Sequence, residues 1–222
     1  MELIEYPDRE MMFIDLANRL AGELGDCLRR HDHASFAVPG GTTPGDVFDD
    51  LSGTDLDWSR VHVILTDERW VPEDDERSNA RLVRERLLTD HAAAAVEVAI
   101  PRGGSPEDGA RAWSEALAPE LPISVLLLGM GADMHTASLF PGAEGLAEAM
   151  APGAPPALAI RAPGAPEPRV TLTAPVLAGA MSKHILITGD DKREAVERAR
   201  RAGRKEAPVA AVWDGAMVHW AA

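Results

Sequence analysis

Residues 124–142 read SVLLLGMGADMHTASLFPG, an apolar run that stops at glycine and is followed by Asp133, His135, Thr136 and Ser138 within six positions. The run is short and bounded by Gly129 and Gly131, which marks a buried strand rather than a helix. Such a strand belongs inside a sheet covered on both faces. The glycine turn at its end exposes backbone N–H groups and side chains at the sheet edge, where open α/β folds bind their ligands.

The same pattern recurs along the chain. Candidate strands lie at 35–38, 61–66, 123–128, 157–161, 184–188, 209–212 and 217–220, with helical stretches between them. Asp8 caps a helix running to about residue 30, and Thr43 and Pro44 serve as N-cap and first residue of a second. Ser78 caps a third, with Ala80, Val83 and Leu87 on one face, and Pro106 opens a fourth. Asp191 and Glu194 form a capping box for a helix that runs to Gly203 with Ala195, Val196 and Ala199 inward. This alternation predicts an α/β fold, a mostly parallel Rossmann-like sheet with helices on both faces. The proline-rich stretch 151–168 contains the run ALAIR and reads as an ordered loop around an edge strand, so residues 1–222 are expected to form a single domain.

Composition narrows the ligands. The 222 residues carry a net charge of −14, which argues against a non-specific nucleic-acid or anionic-membrane surface, so an anionic ligand requires a local basic pocket. The opening MELIEYPDREMM lacks the basic and apolar regions of a secretory signal, and no apolar run approaches the roughly 20 residues of a membrane span. A cytoplasmic protein is expected. The only cysteine, Cys27, lies on a stripe with Leu20, Leu24 and Leu28 and reads as a buried structural thiol.

In a parallel sheet the segments that follow different strands become neighbours. Here they are PGGTTPGD after Val38, TDERWVPEDDERSN after Leu65, GMGADMHTASLFPG after Leu128 and GDDKRE after Thr188. Gly40, Gly41 and Thr42 lead into a helix N-terminus, whose free N–H groups and dipole favour an anion; a plain strand-to-helix turn has the same sequence. Lys192, at the first position of its helix, opposes the dipole unless it serves an anion. Asp67, Glu68 and Arg69 stand directly beyond an apolar strand, either as a solvated face or as ligand-facing groups. Arg77, Ser78 and Asn79 read as the cap of the next helix.

His135 is the leading candidate for chemistry. Asp133 can hold its tautomer or position a water, and Gly129 and Gly131 let a substrate approach the backbone. Of the other histidines, His62 and His184 fall in or beside strands, while His31, His33, His91 and His219 read as peripheral. GMGADM lacks the third glycine and the ribose-binding acid of a dinucleotide site. Ser138 lacks the G-x-S-x-G elbow of a nucleophile and reads as structural or substrate-contacting.

Together the blocks PGGTTP at 39–44, DERWVPEDDERSN at 67–79, GMGADMHTASLFPG at 129–142, RVTLT at 169–173 and GDDKREAVERA at 189–199 resemble the 6-phosphogluconolactonases. That family lies within a larger group that includes glucosamine-6-phosphate deaminases and isomerases. The resemblance implies hydrolysis of a phosphorylated sugar lactone, with no metal or other cofactor and no nucleic-acid, membrane or obligatory protein partner. It implies His135 as general base, Asp133 as its supporting acid, and Gly40, Gly41, Thr42, Arg169 and Lys192 as the phosphate site. Arg69, following Asp67, is placed near the lactone, where it or loop N–H groups around Gly131 stabilise the oxyanion. The family's Asp-Gly-His is Asp-Met-His here, so Met134 stands where glycine permits positive φ. Two alternatives stay open: an amino-sugar-phosphate isomerase or deaminase with Asp67 abstracting a proton, and a non-catalytic sugar-phosphate sensor.

Overall fold

The computed structural model describes residues 1–222. Strands β1 (Glu2–Glu5), β2 (Ala34–Val38), β3 (Val61–Leu65), β5 (Val96–Glu97), β6 (Val125–Gly129), β9 (Ser182–Thr188) and β10 (Ala216–Ala221) form one sheet. Their order is β1-β10-β9-β6-β2-β3-β5, and every neighbouring pair is parallel. A second, antiparallel sheet has the order β4-β8-β7, from β4 (Asp67–Arg69), β7 (Ala157–Ile160) and β8 (Arg169–Leu172). The helices are α1 (Arg9–Leu28), α2 (Pro44–Ser52), α3 (Asn79–Arg86), α4 (Pro106–Leu117), α5 (Leu146–Ala149), α6 (Ala174–Ala178) and α7 (Asp190–Ala199).

The continuous apolar runs of the central strands are explained by burial on both faces. β2 is buried at every position, and 57 buried hydrophobic residues join into one contiguous core. Cap chemistry sets several helix starts. Asp8 accepts from the Met11 N–H at 2.8 Å, Ser78 accepts from the Arg81 N–H, and Ser105 and Asp108 form a capping box around Pro106.

The structure departs from the sequence expectations at several places. Residues 208–212 form a 3-10 helix, since Pro208 at its first position sets a helical φ and removes a ladder donor. The Asp191–Glu194 capping box is absent: α7 begins at Asp190 behind Gly189 at φ 86°, so Lys192 is its third residue rather than its first. Thr43 has helical dihedrals and makes no side-chain cap bond. Cys27 is half-buried, not buried, with its Sγ 3.3 Å from Ser124 Oγ. His219 is not peripheral. It is fully buried on β10 beside the equally buried His184 of β9, with 3.0 Å between His219 Nε2 and His184 Nδ1. Burial pushes the His219 imidazole down to about 3, so it sits neutral in the core.

Two features of topology make the site. Neighbours β2 and β6 send their chains in opposite directions across the sheet, which opens a crevice at their carboxyl ends. The second sheet then supplies a wall. Along β4 the side chains alternate, so Asp67 and Arg69 share one face while Glu68 takes the other. Glu68 is fully buried and accepts from the N–H groups of Arg69, Asn79 and Ala80 and from Ser78 Oγ, at 2.7–3.0 Å. Arg102 adds an ion pair at 3.1 Å. A carboxylate at the start of α3 is favoured by the helix dipole, and here it welds β4 to that helix. Glu68→Ala therefore strands a partly buried guanidinium and leaves the Asn79 and Ala80 N–H groups at the start of α3 without an acceptor, and urea unfolding is expected to show a loss of about 3–5 kcal/mol.

Candidate functional site

A cleft of about 280 Å³ lies at the β2–β6 crevice. Gly40, Gly41, Thr42, Asp67, Arg69, Gly131, His135, Arg169 and Lys192 all line it, so nine sequence-derived site residues meet in one place. Asp133 does not line the cleft and stands behind His135. The sheet order explains the layout: Lys192 follows β9, His135 follows β6, the glycine loop follows β2, and the second sheet brings Asp67, Arg69 and Arg169.

In the glycine loop Gly41 has φ 93°, a conformation that side chains rarely adopt. Gly40 has no room for a Cβ, because the Asn79 carboxamide occupies that space. Asn79 in turn donates Nδ2 to the Asp67 carbonyl at 2.9 Å, so one side chain joins the loop to β4. Sequence reading placed Asn79 only in a helix cap, since nothing local reveals where its side chain reaches.

The turn after β6 is fastened at many points. Asp133 Oδ1 lies 2.5 Å from His135 Nδ1 and also accepts the His135 N–H at 3.3 Å. An ionised Asp133 needs a donor there, so Nδ1 carries the proton and Nε2 is left as the basic nitrogen. The pair folds over Gly131, where a Cβ would collide with both side chains. The Gly131 N–H donates to the His135 carbonyl at 3.0 Å, so this group is already engaged and the expected oxyanion role at Gly131 is not supported. Thr136 Oγ1 donates to the Gly129 carbonyl at 2.8 Å, and Arg198 of α7 donates to the Ala132 carbonyl at 2.7 Å. Met134 has φ 69° and is half-buried against the core, so strain and core contact occur together at this position.

Three further residues support the cleft wall. Phe140 stacks on His135 with ring centroids 4.2 Å apart, and the Arg169 guanidinium lies 5.0 Å from the Phe140 centroid. Ser138 Oγ donates to Asp67 Oδ2 at 2.5 Å, which makes Ser138 a support rather than a nucleophile, and Thr66 Oγ1 donates to Asp67 Oδ1 at 3.1 Å.

The electrostatics favour an anion. Arg69 and Arg169 are directly opposed on β4 and β8, a like-charge pairing that costs stability. Arg169 is largely buried and its Nε has no partner. Burial first, and then the neighbouring Arg69, hold its affinity for a proton below the usual arginine range, against the opposing pull of Asp67, 4.0 Å away. Negative charge beside either guanidinium group relieves the repulsion between them.

A family profile described as glucosamine-6-phosphate isomerases/6-phosphogluconolactonase matches residues 7–220. The chain is 40% identical to a 6-phosphogluconolactonase of Mesorhizobium japonicum over 97% of its length and 93% of the relative's. It is 39% identical to one of Rhizobium meliloti, over 93% of this chain and 92% of the other. The crystal structure of a 6-phosphogluconolactonase from Shewanella baltica superposes with a TM-score of 0.96 at 31% identity, covering 100% of this chain and 98% of that one. A monomeric glucosamine-6-phosphate deaminase shares the fold, with a TM-score of 0.81 at 16% identity over 99% and 97% of the two chains. With the profile spanning nearly every element and the relatives aligned end to end, the chain belongs to the glucosamine-6-phosphate isomerase/6-phosphogluconolactonase family.

Proposed function

We propose that the protein hydrolyses 6-phospho-D-glucono-1,5-lactone to 6-phosphogluconate, with residues 1–222 working as one lactonase unit. The observation that carries this reading is the Asp133–His135 pair, 2.5 Å between Oδ1 and Nδ1, set beside a cleft that also holds the glycine loop, Arg169 and Lys192. The names of the aligned relatives support it. No helix is long and apolar enough to cross a membrane, and a cytoplasmic setting is part of the proposal.

The chemistry follows from the layout. The phosphate takes the N-terminus of α2 at Gly40, Gly41 and Thr42, with Arg169 and Lys192 as counter-charges. Binding energy at that distant group orients the ring. His135 Nε2 removes a proton from water as the oxygen attacks C1, and Asp133 stabilises the imidazolium that forms. Negative charge grows on the carbonyl oxygen, and Arg69, whose Nη1 donates to the Arg77 carbonyl, offers its other N–H groups to meet it. As the tetrahedral intermediate collapses the C1–ring-oxygen bond breaks, and the imidazolium returns its proton to the leaving alkoxide. A δ-lactone is an activated ester, so a base and an oxyanion donor suffice.

The isomerase reading needs Asp67 to abstract a carbon-bound proton. Its two oxygens already accept from Ser138 and Thr66, which favours the lactonase.

Three outcomes are expected. His135→Ala lowers kcat by about 10²–10⁴ in a lactone-disappearance assay corrected for spontaneous hydrolysis, while affinity for 6-phosphogluconate changes little. Wild-type turnover in that variant sinks the assignment. Arg169→Ala and Lys192→Ala each lose about 1.5–3 kcal/mol of phosphate contact, so KM rises roughly tenfold or more for the phosphorylated lactone and much less for gluconolactone. Equal effects on both lactones put the phosphate elsewhere. Met134→Gly relieves about 1 kcal/mol of positive-φ strain and forfeits a comparable amount of side-chain burial. Its melting temperature and kcat/KM are expected to stay close to wild type.

A further inference from the structure

At the end of the sheet opposite the cleft lies a second cluster of polar side chains. His33 immediately precedes β2, His62 is the second residue of β3, and Glu120 closes the 3-10 turn Ala118–Glu120 ahead of β6. The Glu120 carboxylate is 8% exposed. Its partners are His62 Nδ1, at 2.9 and 3.0 Å from its two oxygens, and His33 Nε2, at 3.3 Å. No lysine, arginine or backbone N–H compensates it. A buried carboxylate served only by two imidazoles has no permanent positive charge beside it, which is a costly arrangement for a purely structural acid.

We propose that His33, His62 and Glu120 form a Zn²⁺ site. One donor atom from each residue lies within 4.8 Å of the others. Two imidazole nitrogens and one carboxylate oxygen suit zinc, whereas magnesium and calcium prefer all-oxygen shells. Zinc–ligand bonds of about 2.0–2.2 Å set tetrahedral ligands roughly 3.3 Å apart. The carboxylate-to-nitrogen separations of 2.9–3.3 Å already approach that spacing. The backbone behind Glu120 is fixed, since Ser35 Oγ donates to its carbonyl at 2.9 Å and accepts the Ser124 N–H at 3.0 Å.

One movement is required. The two imidazoles are stacked, with centroids 4.3 Å apart and planes 15° from parallel, so their lone pairs run side by side instead of converging. His33 is the more exposed, at 37% against 24% for His62, and its ring turns off the stack to meet the ion while His62 and Glu120 stay in place. The proton that His62 shares with Glu120 passes to solvent as zinc enters, and a water takes the fourth position on the open side. The bound ion clamps the amino ends of β2 and β3 to the segment entering β6, the strands whose far ends carry the catalytic loops.

The test is a zinc titration of tag-free protein against a chromophoric chelator, with the melting temperature followed in parallel. Wild type is expected to take up one equivalent per chain and to melt at a higher temperature with zinc. His33→Gln and His62→Gln are each expected to weaken uptake by about 100-fold or more, exceeding the roughly 10- to 100-fold typical of losing an outer partner. Both are also expected to lose the thermal gain. Circular dichroism checks the fold, and if His62→Gln proves unfolded, the exposed His33→Gln decides alone. Absence of stoichiometric uptake by wild type, or uptake unchanged in His33→Gln, overturns the site.

Discussion

A buried carboxylate organises this molecule. Glu68 has no access to water, and its oxygens are saturated by the start of α3, by its own strand and by Arg102. Removing any one donor leaves charge in a low-dielectric interior, so the parts hold together as a set. The consequence for the cleft comes from strand alternation. Because Glu68 is pinned to one face of β4, Asp67 and Arg69 have only the other face, and the wall they form is as rigid as the core behind it.

The chain as a whole repels anions, yet it builds one place that attracts them. Its net charge is −14, while Arg69, Arg169, Lys192 and a helix N-terminus converge on the cleft. Opposed guanidinium groups and an unpartnered Nε are a cost that folding bears in order to have the site ready. The acids nearby moderate that field without cancelling it: Asp67, held by Ser138 and Thr66, lies 4.0 Å from Arg169, and Asp133 is paired with His135.

Much of this architecture was legible in the sequence where the signal is local. Apolar runs marked β2, β3, β6 and β9, all but β3 followed closely by glycine, and the parallel sheet then made neighbours of loops far apart in the chain. Of the second sheet only β7 was legible, as the edge-strand run ALAIR; β4 has three residues and β8 four, too few for a period, and their pairing is decided by distant burial. The same blindness hid the function of Glu68, whose partners lie ten to twelve residues ahead, and misjudged His219, whose burial depends on a strand pairing across the whole chain. Gly131 was assigned to the right cleft for an incomplete reason, since its lack of a side chain serves the Asp133–His135 pair packed upon it.

Strand β1 lies at the outer edge of the sheet and its one neighbour is β10, with Leu3 beside Val218 and Glu5 beside Trp220. During synthesis β1 therefore has no template until β10, some two hundred residues later, is made. The β9 edge is bare too from its own synthesis until β10 arrives, and parallel pairing across the span from β1 to β10 closes slowly. The nascent chain thus carries the unpaired edge of β1 through most of its translation and adds that of β9 near the close, an interval in which a cell's chaperones have most to guard.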